Sequence, residues 1–168
     1  MEENSLHTLR DLKMSGLLDP DIYFVHSIEG RNKETVQADV HRYRDLLREY
    51  GVKATLCSMF EIFERRFFAK GYFRGENFPK LLVETEKRII RSCEIVLADL
   101  SIPGHQYVGA IMEIMYAYDL GIPVVAVAGA GPIGTRLWLK AHCDRIVGTP
   151  EDAVQCLEPL INKRMGSV

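Results

Sequence analysis

Glu113 stands in the stretch YVGAIMEIMYAYDLGIPVVAVAG, residues 107–129, where most positions before the Gly-Ile-Pro turn are apolar or small. On a helix its neighbours three and four positions away are Gly109, Ala110, Tyr116 and Ala117. None is a cation, so a surface salt bridge has no local partner, and an ion pair with a residue distant in sequence is the alternative. Helical side chains lean toward the N-terminus, which sets this carboxylate over Gly109 and Ala110, where a ligand has room to approach. Glu86 repeats the anomaly, with Leu82, Val83, Ile89 and Ile90 around it. Glu84, two residues away, has Lys80, Lys87 and Arg88 at the same spacings and reads as a solvated charge. A buried, unpaired carboxylate is costly, and chains that keep one usually use it. For Glu86 the bland reading is exposure at a helix end.

The elements that must position these acids alternate between strand and helix. Ile22 to Ser27 is a buried strand, and its Tyr23 could reach a pocket at the sheet edge, although an aromatic residue there reads as packing when taken alone. The following SIEGRN, Ser27 to Asn32, leads into a helix marked by Val36, Val40, Leu46, Leu47 and Tyr50 and ended by Gly51. Its backbone amides and Arg31 would suit an anion such as phosphate. Then come a strand in VKATLCS, an aromatic helix from Met59 to Phe68, and a glycine-rich loop, KGYFRGENFPK. Pro79 opens a helix to Ser92. Strand EIVLADL, loop SIPGHQ, the Glu113 helix, strand IPVVAVAG and a helix pair flanking the short strand DRIVG complete the chain. Residues 1–20 form a helical extension, capped by Asn4 or Ser5 and closed near Gly16. Continuous apolar strands between helices predict an α/β fold: one domain over residues 1–168, a doubly wound parallel sheet of about five strands, flavodoxin- or Rossmann-like. Ligands in such sheets bind beyond the carboxyl ends of the strands, so HSIEGRN, DLSIPGHQYVG and AGAGPIGT are expected to border the pocket.

Composition narrows the function. A net charge of −2 and a pI near 6.2 leave no footprint for nucleic acid. No apolar run is long enough for a bilayer, and the acidic MEEN start is unlike a signal peptide, which points to a cytoplasmic protein. Cys57, Cys93, Cys143 and Cys156 are widely spaced and read as buried, reduced thiols. The five histidines show no ligand spacing, so neither a metal nor another cofactor is expected.

IYFVHSIEGRN resembles the YF-x-G-S-I-R-G opening of the nucleoside 2-deoxyribosyltransferase superfamily, which includes deoxynucleoside 5′-monophosphate N-glycosidases. EIVLADLS followed by YVGAIMEIMYAYDLGIPVVAV is similar to the second and more specific signature of that family, in which a glycine precedes a glutamate by four residues. The likeness spans Ile22 to Val147. It implies that Glu113 is the nucleophile, that Tyr23 hydrogen-bonds it, and that Glu86, usually Asp in the family, is the acid of the preceding helix. It also implies substrate contacts at Ser27, Ile28, Gly30, Arg31, Asp99, Tyr107, Gly109 and Asp144. The chain departs from the family in carrying His26 before Ser27 in place of glycine and Glu29 in place of arginine. Tyr107 stands where transferases have Asp and monophosphate hydrolases often have Ser.

The implied chemistry is cleavage or transfer at the N-glycosidic bond of a nucleoside or nucleoside 5′-monophosphate. Loss of the base builds oxocarbenium character at C1′, Glu113 captures it as a glycosyl ester, and Glu86 protonates the departing base. Water as acceptor makes a hydrolase, and a second base makes a transferase. Two rivals remain: a nucleotide sensor without turnover, favoured by His26, Glu29 and Tyr107, and an NAD-cleaving domain of the TIR type. Relatives in the superfamily are dimers or larger, which implies a homodimer or homotetramer here. A patch of Leu137, Trp138 and Ala141 would form the contact, with His142 or Asp144 directed at the partner's Glu113. Trp138 covering the sheet is the competing reading.

Overall fold

The computed structural model describes residues 20–67 and 77–165, and every structural statement refers to these. The expected N-terminal helix and most of the glycine-rich loop lie outside them. Five strands form one parallel sheet: β1 (Ile22–Val25), β2 (Leu56–Cys57), β3 (Ile95–Asp99), β4 (Val124–Val127) and β5 (Arg145–Val147). Their spatial order is β2-β1-β3-β4-β5, so the chain reverses direction across the sheet between β1 and β3. Every residue of β1 and β4 is buried, because helices cover both faces and neither side of a strand can be polar.

Side-chain alternation divides the core. Ile22, Phe24, Leu97 and Val125 face one layer, helices α1 (Lys33–Glu49) and α6 (Pro150–Met165). Tyr23, Val25, Val96 and Ala98 face the other, helices α3 (Phe78–Ser92), α4 (Val108–Asp119) and α5 (Leu137–His142). Tyr23 therefore points at α4 by parity alone. Helix α2 (Met59–Phe67) follows β2 and is kinked at Phe63. Asn32 caps α1 by accepting from the Thr35 amide at 2.8 Å. Gly121, with φ at +68°, turns the chain out of α4 at a conformation that disfavours a side chain. No helix among the described residues is long and apolar enough to cross a membrane.

The first two strands are shorter than their apolar runs, and side chains explain why. Asp21 accepts from both the amide and the hydroxyl of Thr55, at 2.7 and 2.8 Å, a side-chain clasp beside the bond from the Ile22 amide to the Thr55 carbonyl at 2.8 Å. Past Val25, His26 and Ser27 turn to partners on other loops. Cys57 and Cys93 are buried, whereas Cys143 and Cys156 are partly exposed, against the expectation that all four would be inside.

Candidate active site

A cavity of about 150 Å³ opens at the carboxyl ends of β1 and β3, beside the reversal in strand order. Tyr23, from β1, is almost wholly buried and donates its hydroxyl to Glu113 Oε1 at 2.6 Å. Glu113 comes from the second turn of α4 and Glu86 from the facing side of α3, and both line the cavity. Glu84 is exposed.

Burial drives the electrostatics. Glu113 is pushed up to about 8, first by burial and then by the charge of Glu86, while the hydrogen bond from Tyr23 acts in the opposite sense. Glu86 is pushed up to about 7 by burial. Two facing carboxylates without a cation between them cannot both ionise readily, so the pair holds a proton near neutral pH. The Tyr23 hydroxyl is raised well above its ordinary value by burial and by both glutamates, and it stays a donor.

The β1–α1 and β3–α4 loops are tied together across the mouth. Ser27 Oγ and His105 Nε2 lie 2.7 Å apart, and His105 packs edge-on against Tyr107. The Tyr107 hydroxyl accepts from the Ile102 amide at 2.9 Å, so that tyrosine offers the cavity its ring and commits its oxygen to the loop. His26 stacks on Phe24 and shares a 2.6 Å hydrogen bond with Ser58 Oγ. Ser58 also accepts from the Phe60 amide and so anchors the start of α2. Gly109 and Ala110 line the cavity beside Glu113, and a Cβ at Gly109 would meet no atom within 4 Å.

The sequence-expected residues separate into two groups. Tyr23, Ser27, Ile28, Glu86, Tyr107, Gly109 and Glu113 border the cavity. Gly30, Arg31, Asp99 and Asp144 do not. Arg31 donates to the Ser27 carbonyl at 2.9 Å and pairs with Asp39. Asp99 has both oxygens engaged, one by the Tyr43 hydroxyl at 2.8 Å and the other by the amide and hydroxyl of Ser101. Asp144 accepts from the Val124 amide at the opposite, amino end of β4. The AGAGPIGT segment is not on the lining either. Its Ile133 packs against the core, and the segment folds closely on itself, so that a Cβ at Gly134 would fall 2.9 Å from that of Ala128. Met59, His105 and Gln106 line the cavity without having been singled out as site residues. His105 and Gln106 carried one usable signal, their place in the loop after β3.

No family model and no curated protein matches the sequence. Among solved structures, the 2-deoxyribosyltransferase of the psychrotolerant bacterium Bacillus psychrosaccharolyticus superposes with a TM-score of 0.61. It is 18% identical and aligns over 83% of this chain and 94% of that one. The CMP N-glycosidase BcmB of Clostridium botulinum gives a TM-score of 0.47 at 14% identity, over 82% of this chain and 98% of that one. The chain has the α/β fold of the 2-deoxyribosyltransferase.

Proposed function

We propose that this cavity cleaves or transfers the N-glycosidic bond of a nucleoside or nucleoside 5′-monophosphate through a glycosyl ester on Glu113. The observation that carries the reading is the 2.6 Å bond from Tyr23 to Glu113 in a cavity that also holds Glu86. Tyr23 occupies Oε1 and orients the carboxylate, leaving Oε2 to bond to C1′ as the C1′–N bond breaks. The electron pair of that bond passes to the ring nitrogen of the base, and the protonated Glu86 supplies the proton the base requires. In the second step water, deprotonated by Glu86, or the nitrogen of another base attacks C1′ and releases Glu113. The reactive form has Glu113 ionised and the shared proton on Glu86. The fold shared with a 2-deoxyribosyltransferase supports the same reading.

The test is base release from ribo- and deoxyribonucleosides and their 5′-monophosphates, with acid-quenched samples searched by mass spectrometry for a glycosylated Glu113 peptide. Release from none of them would overturn the proposal. A sensor without turnover is the second reading, favoured by the commitment of the Tyr107 hydroxyl to the Ile102 amide. It would show tight ligand binding and no product. Nicotinamide released from NAD would instead support the NAD-cleaving alternative. The assembly we propose is a homodimer or homotetramer, supported by Leu137 and Trp138, which are 81% and 70% exposed on α5. At that exposure Trp138 does not cover the sheet.

A further inference from the structure

Glu86 and Glu113 reach the cavity from different helices, so their separation is set by how closely α3 and α4 pack. Tyr116 stands one turn after Glu113 on α4. Its ring is partly buried against the core layer beneath both helices, and two exposed cations of α3 lie over it. Lys87 Nζ is 5.3 Å from the ring centroid and the guanidinium carbon of Arg91 is 5.7 Å from it. Lys87 follows Glu86 directly in the chain, and Arg91 comes one turn later. Like charges four positions apart on a helix repel, and the negative face of the ring they share offsets that repulsion. One residue of α4 thus holds two successive turns of α3, which resists both sliding and separation of the helices.

We infer that Tyr116 is a positioning residue: clasped by Lys87 and Arg91, it fixes the separation of α3 and α4 and thereby that of Glu86 and Glu113. Tyr116 is not on the cavity lining and acts only through the two helices. The separation matters because close carboxylates cannot both ionise, and the proton they share is held by their closeness and by burial. Loosening the helices admits water and weakens the repulsion. Both effects lower Glu113, the group that burial and Glu86 push up. This holds for the two acids whatever reaction they perform; only its consequence for turnover rests on the N-glycoside reading.

The experiment is a carbon-13 NMR titration of the glutamate side-chain carboxyls, which follows Glu86 and Glu113 without any substrate. Tyr116→Leu keeps an apolar side chain on the core and removes the ring, whereas Tyr116→Phe keeps the ring. Lys87→Gln combined with Arg91→Gln removes the clasp from the surface side, where folding is not at stake. The titratable groups facing the pair are the same in every variant: Tyr23 from β1 with Cys57 of β2 beside it, His26 and Glu29 from the β1–α1 loop, and His105 from the β3–α4 loop.

In Tyr116→Leu the higher of the two midpoints is expected to fall by about half a pH unit or more, while Tyr116→Phe titrates like the parent. The double glutamine variant gives a check by sign. Loss of two nearby positive charges would by itself raise a carboxyl midpoint, whereas loosening of the helices lowers it, so a fall identifies the clasp. A Tyr116→Leu protein that melts lower yet titrates like the parent overturns the inference, as does a Tyr116→Phe midpoint that falls as far as that of Tyr116→Leu. So does a midpoint that rises or stays in the double variant, which alone decides the matter if Tyr116→Leu fails to fold. Where the parent releases base, the pH profile of kcat should move toward acid with the midpoint. If the midpoints fall and the parent releases no base, the positioning role stands and the glycosidase reading falls. If base is released and the midpoints do not move, only the positioning role falls.

Discussion

At Glu113, burial and the charge of Glu86 favour the protonated carboxyl, and the hydrogen bond from Tyr23 opposes them. The folded protein therefore binds a proton that the unfolded chain, with its ordinary value of 4.5, has already lost. Because the native state holds more protons over that interval, this group's contribution to stability is complete below about 4.5 and is lost as pH rises through about 8. Glu113→Gln keeps an acceptor for Tyr23 and cannot ionise. It is expected to abolish base release and to melt above the parent protein well above neutral pH, by about 1–2 kcal/mol once its contact with the cavity solvent is discounted. The difference should shrink in mild acid, and thermal unfolding across pH checks this. Glu84 and Glu86 offer a matched pair. Glu84→Gln, at the surface, should change stability by less than about 0.5 kcal/mol and leave turnover intact. Glu86→Gln should lower kcat for neutral nucleosides by about a hundredfold. Equal, small effects in the two would make Glu86 a solvated charge like its neighbour.

Helix α4 carries Gly109 one turn before Glu113, at a place where a methyl group meets nothing. Gly109→Ala should stabilise the fold by about 0.5–1 kcal/mol, since alanine loses less backbone freedom than glycine on entering a helix. The added methyl group also narrows the cavity that Gly109 lines, so KM should rise while the melting temperature increases. A rise in stability with KM unchanged would mean that ligands do not approach over this turn. The same helix shows what a sequence reveals about elements. Its acid was conspicuous because helical neighbours are fixed by spacing, and all its neighbours were apolar or small. Strand cores were equally legible as unbroken apolar runs. Strand ends were not, because the Asp21–Thr55 and His26–Ser58 contacts that stop β2 and β1 join residues more than thirty positions apart. Asp99 escaped for the same reason: Tyr43, which satisfies it, lies 56 residues away. An acid at the carboxyl end of a strand looks identical in sequence whether it meets a ligand or a buried phenol.

Across the molecule, the outer face of α4 presents Val108, Met112 and Met115 to solvent, on the side away from the sheet. Trp138, on α5, stacks over His142, which Tyr118 of α4 also contacts, so the two exposed apolar surfaces adjoin. Patches of this kind on soluble proteins mark association surfaces. A symmetric pair formed here would seat each partner beside the helix that carries Glu113. If the chain forms the proposed assembly, Met112→Glu combined with Trp138→Glu should convert it to a monomer in light scattering without lowering thermal stability beyond the loss of the interface. A parent protein that is monomeric at micromolar concentration would remove the assembly from the account.

The bond between Tyr23 and Glu113 spans 90 residues of chain. During synthesis β1 emerges long before α4, so its phenol waits while the carboxylate it will hold does not yet exist. Closing so long a loop is entropically slow, and it is rewarded only when β3 has paired with β1 and α4 has settled on both. The carboxylate and the phenol that holds it are thus brought together by the most sequence-distant docking step near the cavity. No fragment ending before residue 113 can possess the pair, and a nascent chain lacks this bond until its sheet is assembled across the reversal between β1 and β3.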